Sequence, residues 1–192
     1  MDAAVGFSTH SGWAVAITAC VDDARHLRVA DRRRVALIDD DLPRQAYHAA
    51  AELPAADARA MVKRVDASIV ACAETALTEL LASSGDVSVV AVGVVGGPRE
   101  IPDVATVLAS HARMHACEGE QYRRGIADAA DALGLGTSRI DAAALTSRVT
   151  ERLGWSPDRI DHELAAVRAD LGPPWQKDHK AAALAALLAL HP

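Results

Sequence analysis

One run of residues limits the folds open to this chain more than any other. Val87–Val95 is almost unbroken β-branched apolar sequence, the composition of a strand buried on both faces. It follows a long segment, from Pro54 to about Ser83, in which Met61, Val65, Ile69, Cys72, Ala76 and Leu80 recur at helical spacing. A doubly buried strand reached through a helix is the mark of a parallel crossover, so the chain is predicted to be α/β. With 192 residues it is long enough for one domain with a substantial core, and residues 1–192 are expected to form a single domain.

The remaining elements fall around that strand. Ala3–Phe7 and Trp13–Cys20 have strand composition, and Leu27–Ile38 alternates around a run of arginines as a half-exposed edge strand does. The short turns at Ser8–Gly12 and Asp22-Asp23 predict an antiparallel meander. After Val95, Gly96-Gly97-Pro98 ends the strand, and a helical pattern with Pro102 in its first turn runs to about Leu133, broken near Gly119. A weaker strand around Ser138–Ile140 precedes helices near Ala142–Leu153 and Pro157–Leu171, the second capped by Ser156. A rigid turn, Gly172-Pro173-Pro174-Trp175, leads to a last helix starting near Asp178. The predicted architecture is a five-stranded mixed sheet, order 3-2-1-4-5, flanked by helices. The ends of strands one and four then lie side by side, where open α/β sheets bind ligands. Ser8–Ser11, Gly96–Arg99 and the start of the last helix should converge there. Trp13, Trp155 and Trp175 read as packing anchors, and Tyr47-His48 lies in a polar connection outside the predicted core.

Net charge is −6, the wrong sign for binding nucleic acid through the overall field. A local basic patch is the alternative, and Arg25, Arg28, Arg32, Arg33 and Arg34, with Arg123 and Arg124, either build one or form a solvated strand edge and helix face. Cys20, Cys72 and Cys117 are odd in number, lack zinc-knuckle spacing and sit in apolar or amphipathic runs. With no signal-peptide pattern and no apolar run long enough to span a bilayer, a cytoplasmic protein without a membrane partner is expected.

Two small constellations carry chemistry. His111, His115 and Glu118 stand at i, i+4 and i+7, one face of a helix; they read either as a zinc- or manganese-competent set or as a polar stripe beside Val107, Leu108 and Met114. A helix tilted toward the crevice would bring His111 to His10. Ser8-Thr9-His10-Ser11-Gly12 is a polar loop after a buried strand, either a phosphate-cradling turn or a simple capped one. Ser8 and His10, at i and i+2, point the same way as a nucleophile and base would, without an evident orienting acid. Asp39-Asp40-Asp41 reads as a cation site or a solvated loop.

The segments Val5-Gly6-Phe7-Ser8-Thr9-His10-Ser11-Gly12-Trp13, Ala144-Leu145-Thr146-Ser147-Arg148-Val149-Thr150, Gly154-Trp155-Ser156-Pro157-Asp158 and Lys177-Asp178-His179-Lys180-Ala181-Ala182-Ala183-Leu184, in this element order, resemble the ribonuclease H-like superfamily. They are similar to bacterial Holliday-junction resolvases, and the final alanine run is similar to that of pre-16S ribosomal RNA nucleases. The resemblance implies two Mg²⁺ or Mn²⁺ ions held by acids on strands one and four and on the last helix. Position by position, those acids fall here on Ser8, on Val92 or Gly93, and on Asp178 and Ala181. It therefore implies a resolvase-like or nuclease-like protein with a depleted metal site, weak or no nuclease activity, and branched DNA or structured RNA as partner. Asp178 would hold an ion, His10 or His179 would supplement it, and Ser8 would hold a water or a phosphate. The alternative is a non-catalytic small-ligand or protein-binding module on the same scaffold, as a homodimer. A third reading is a hydrolase using a metal at His111, His115 and Glu118.

Overall fold

The computed structural model describes residues Met1–His191. Strands β1 (Asp2–His10), β2 (Trp13–Val21) and β3 (Leu27–Ala36) form the expected meander. β4 (Ser88–Val95) and β5 (Gly136–Ile140) add in parallel on the far side of β1, giving the order β3-β2-β1-β4-β5. The helices are α1 (Ala46–Ala50), α2 (Ala55–Ala82), α3 (Val104–Leu108), α4 (His111–Ala132), α5 (Leu145–Leu153), α6 (Pro157–Leu171) and α7 (Lys177–Leu190). Among the described residues no helix is long and apolar enough to cross a membrane.

Two apolar layers sandwich the sheet. On one face α1, α2 and α4 bury Val62, Val65, Ile69, Leu77 and Leu80 of the long crossover helix together with Tyr122 and Ile126. On the other, α5, α6 and α7 enclose Trp155, Ile160, Leu164, Trp175 and the apolar run of α7. Trp155 and Trp175 are packing anchors, whereas Trp13 stays half-exposed at the mouth of the crevice. β1 is buried from Ala3 to Ser8. β4 is less enclosed than its composition implies, because Ser88 and Val90 at its start face solvent.

Three local expectations are corrected. The helical pattern after β4 breaks at Ala109–Ser110, not near Gly119, which lies inside α4. Pro102 precedes that pattern, and Asp103 caps α3 by accepting from the Thr106 N–H at 3.1 Å. Tyr47 and His48 do not lie outside the core: they form α1, and Tyr47 is buried in the first layer. Burial pushes the Tyr47 phenol up to about 12. Ser156 caps α6 as expected, accepting from the Arg159 N–H with Pro157 beside it. Asp39 is tied to α2 by Ser68, whose hydroxyl donates to its carboxylate at 2.8 Å.

The arginines of β3 divide. Arg32 donates to the carbonyls of Gly172 and Pro174 at 2.8 and 2.7 Å and so clasps the turn before α7. Arg33 pairs with Asp31, and Arg28 with Asp86. Two buried glutamates serve as tertiary ties. Glu163 of α6 accepts from the His26 ring and the Leu27 N–H, each at 2.9 Å. Glu120 of α4 receives Arg139 and Arg123. Burial raises both carboxyls, but their hydrogen bonds and the neighbouring cationic groups outweigh it, holding both below the ordinary glutamate value of 4.5. A carboxyl lowered on folding stabilises the protein above its unfolded pKa, and that contribution is lost as pH falls through the folded value. The urea midpoint should therefore hold near neutrality and fall once pH drops below the ordinary glutamate value. Glu163→Gln should show a shallower acid limb; an acid limb as steep as wild type would refute this role.

Candidate functional site at the carboxyl end of the sheet

The geometry of the crevice begins with strand alternation. Gly6 faces α7, where it meets the Ala182 carbonyl and the Ala186 backbone, and alternation sends Ser8 and His10 to the same face. Gly93, paired with Gly6 across β1 and β4, meets the Ala185 carbonyl in the same way. Without side chains at these two points, α7 lies directly on the sheet. Its first turn then reaches the end of β1, and the His10 Nε2–H donates to Asp178 Oδ2 at 3.1 Å. Both side chains remain partly open to solvent.

The β1–β2 hairpin arranges the rest. A two-residue Ser11-Gly12 turn, with Gly12 at φ +89°, sets His10 opposite Trp13. The cross-strand pair stacks, with ring centroids 4.0 Å apart and planes 7° from parallel. Arg34, diagonal to Trp13 on β3, places its guanidinium 4.0 Å from the indole centroid. The result is an ordered series, Arg34–Trp13–His10–Asp178, across the strand ends.

The other expected participants stand apart from this pair. Ser8 is buried, and among the described residues no hydrogen bond joins it to His10. His179 completes a capping box: its Nδ1 accepts the Gln176 N–H, and the Gln176 side chain accepts the N–H of His179. Burial and then the nearby Arg32 charge hold the His179 imidazole below its usual range. The donors that converge at the crevice are thus one carboxylate and one imidazole. Mg²⁺ and Mn²⁺ centres of the two-ion type need several hard oxygen ligands, and this set does not fit one.

Around the same end of the sheet, Arg34, Arg44, Arg99 and Lys177 are exposed. None of them makes an ion pair among the described residues. Arg44 lies against the Gly12 turn, and Arg99 shares an open pocket with Gly96, Gly97, His115 and Arg123.

A second cluster lies on α1 and α4. His111 does not approach His10; it gathers with His115 and with His48, which sequence spacing had not grouped with them. Ligand-competent atoms of the three all lie within 4.8 Å of one another. Glu118 is not a fourth member on equal terms. It is buried beneath the rings, and its Oε1 accepts the N–H of Tyr47, the N–H of His48 and the His48 ring Nδ1–H at 3.1, 3.0 and 2.8 Å. His115 stands 4.0 Å from its other oxygen. In the sequence His48 shows only its polarity in a polar connection beside Tyr47, which carries no spacing to α4.

Neither a protein-family model nor a curated protein sequence matches the chain. Two solved structures of RuvC from Thermus thermophilus do. One is a structure of the protein, at a TM-score of 0.51, and the other is RuvC in complex with a Holliday junction substrate, at 0.56. In each the identity is 11%, with 96% of this chain and 90% of the other covered. What this chain shares with RuvC over nearly its whole length is a ribonuclease H-like fold.

Proposed function

We propose that this chain is a RuvC-like protein that binds branched DNA across the carboxyl end of its sheet, without two-metal hydrolysis of the phosphodiester. One observation carries the reading: Asp178, the one acid at the positions where the resemblance expects four, is held by His10 at 3.1 Å. Support for binding comes from the likeness to a RuvC bound to a junction and from the free cationic side chains Arg34, Arg44, Arg99 and Lys177 around the crevice. They give an acidic chain the local positive surface that phosphate contacts require. Trp13, stacked between His10 and Arg34, offers an aromatic edge at the same place.

The test is a gel shift on a four-way DNA junction beside a linear duplex, over a range of salt, with a structured RNA as a third arm. The junction should bind most tightly, and Arg44→Ala with Arg99→Ala should lower the log–log salt slope by about 2, near 0.9 per lost phosphate contact. With Mg²⁺ or Mn²⁺ added, wild type and Asp178→Ala should both leave the junction intact. Cleavage by wild type that vanishes in Asp178→Ala would overturn the non-hydrolytic half of the proposal. Absence of any shift at low salt would sink the binding half. It would leave ahead the small-ligand module, for which the 310 Å³ cavity lined by Arg139, Asp141, Arg148 and Arg152 is the candidate.

A further inference from the structure

We propose that His48, His111 and His115 form a binding site for a single first-row transition-metal ion, with zinc the ion that fits it best. The proposal stands independently of nucleic-acid binding and of the crevice at Asp178.

The first support is the state of His48. An ionised carboxylate only accepts hydrogen bonds, so Glu118 fixes the proton of His48 on Nδ1. The lone pair is then on Nε2, which is buried and has no hydrogen-bond partner among the described residues. A buried imidazole nitrogen held bare, with its opposite nitrogen donating to a carboxylate, is the arrangement that orients and strengthens a metal-ligating histidine. A polar stripe of three histidines accounts for neither the buried glutamate nor the unpartnered nitrogen.

The second support is convergence. His111 and His115 are one helical turn apart, and α1 brings His48 to them from a separate element. Ring centroids are 5.0 Å apart for His48 and His111, 4.5 Å for His48 and His115, and 4.6 Å for His111 and His115. Tetrahedral zinc with bonds of 2.0–2.1 Å needs ligand nitrogens about 3.3 Å apart. His48 is fixed, whereas His111 and His115 are exposed and close that gap by turning about their side-chain torsions. Three neutral imidazoles with no carboxylate in the first sphere select zinc, copper, nickel or cobalt over magnesium or calcium. Tetrahedral geometry leaves the fourth position for water. His115 also lines the open pocket of about 410 Å³ beside Gly96 and Arg99, which supplies a path of entry.

Tag-free protein, stripped with a chelator, is titrated with Zn²⁺ by calorimetry and with Co²⁺ by visible absorption. One equivalent of each ion should bind, and Co²⁺ should develop the intense bands of a tetrahedral site. The double variant His111→Ala/His115→Ala changes exposed side chains alone and should weaken Zn²⁺ binding at least 100-fold with an unchanged circular dichroism spectrum. Glu118→Gln, a change at a positioning residue, should weaken it 10–100-fold. His162→Ala on α6 should leave it unaltered. Wild-type protein that takes up no stoichiometric ion, or a double variant that binds as tightly as wild type, would overturn the proposal. A double variant that loses zinc and still shifts the junction would separate this site from DNA binding.

Discussion

Gly6→Ala should destabilise this protein as strongly as any substitution of comparable size in the sheet. A Cβ at Gly6 would stand closer than 3.0 Å to the Ala182 carbonyl and to the Ala186 backbone nitrogen. These are backbone atoms in a helix whose apolar run is buried throughout, so no flexible side chain can move to make room. Either α7 lifts from the sheet or β1 buckles, and the layer containing Trp155, Leu164 and Leu187 opens with it. Overpacking typically costs about 1–3 kcal/mol; with backbone on both sides, the loss should be about 3 kcal/mol or more. Gly93→Ala meets the Ala185 carbonyl in the same way and should cost as much. The double variant should lose less than the sum, since one displacement of α7 relieves both clashes. Gly136→Ala is the control: nothing lies within 4 Å of its added Cβ, so stability should change by less than about 1 kcal/mol. Urea midpoints decide the matter, and equal midpoints for the position 6 and position 136 variants would refute direct seating of α7 on the sheet. Because α7 carries Asp178, a soluble Gly6→Ala protein should also lose the 3.1 Å contact between His10 and Asp178, visible as changed ring chemical shifts of His10 by NMR.

Glu120→Ala is expected to be at least as damaging, through charge. Glu120 is 1% exposed, and it receives Arg139 through two bonds of 2.6 and 2.7 Å and Arg123 at 3.2 Å. Arg139 also donates to the Gly97 carbonyl at 3.0 Å. This one carboxylate thus joins α4, β5 and the turn after β4. Its removal leaves two guanidinium groups partly buried without a counter-charge, a loss of about 3–5 kcal/mol. The geometry is bidentate, the strongest form of such a pair. Arg139→Met should cost less, because Arg123 remains to balance Glu120, and Glu120→Ala/Arg139→Met should recover part of the single loss. A double-mutant cycle by chemical denaturation measures the coupling. Strictly additive losses would mean that the pair contributes no interaction of its own.

Periodicity and turn chemistry determined the elements and their order along the chain. The β-branched run of β4, the 3.6-residue spacing of α2 and the two short turns of the meander are local signals of a meander followed by a crossover; the place of β4 beside β1 was implied by the resemblance. The Ser156-Pro157 start of α6 is just as local. That Ser8 and His10 share a face is also legible in the sequence, because residues two apart on a strand do so whatever surrounds them. Tertiary structure alone decided who meets whom across elements. The proximity of His10 to Asp178 depends on how closely α7 seats on Gly6 and Gly93, a distance that no spacing along the chain encodes. His48 joins His111 and His115 because α1 folds under α4, and its polar surroundings had suggested a connection outside the core. Glu118, placed by its i+7 position among possible ligands, is instead the buried acceptor that orients His48. Glu120 and Glu163 gave no signal as isolated acids in amphipathic helices. Burial and partners make them structural, and both are properties of packing between distant segments. Spacing within an element survives in the sequence, whereas the contacts between elements are settled by how their surfaces fit.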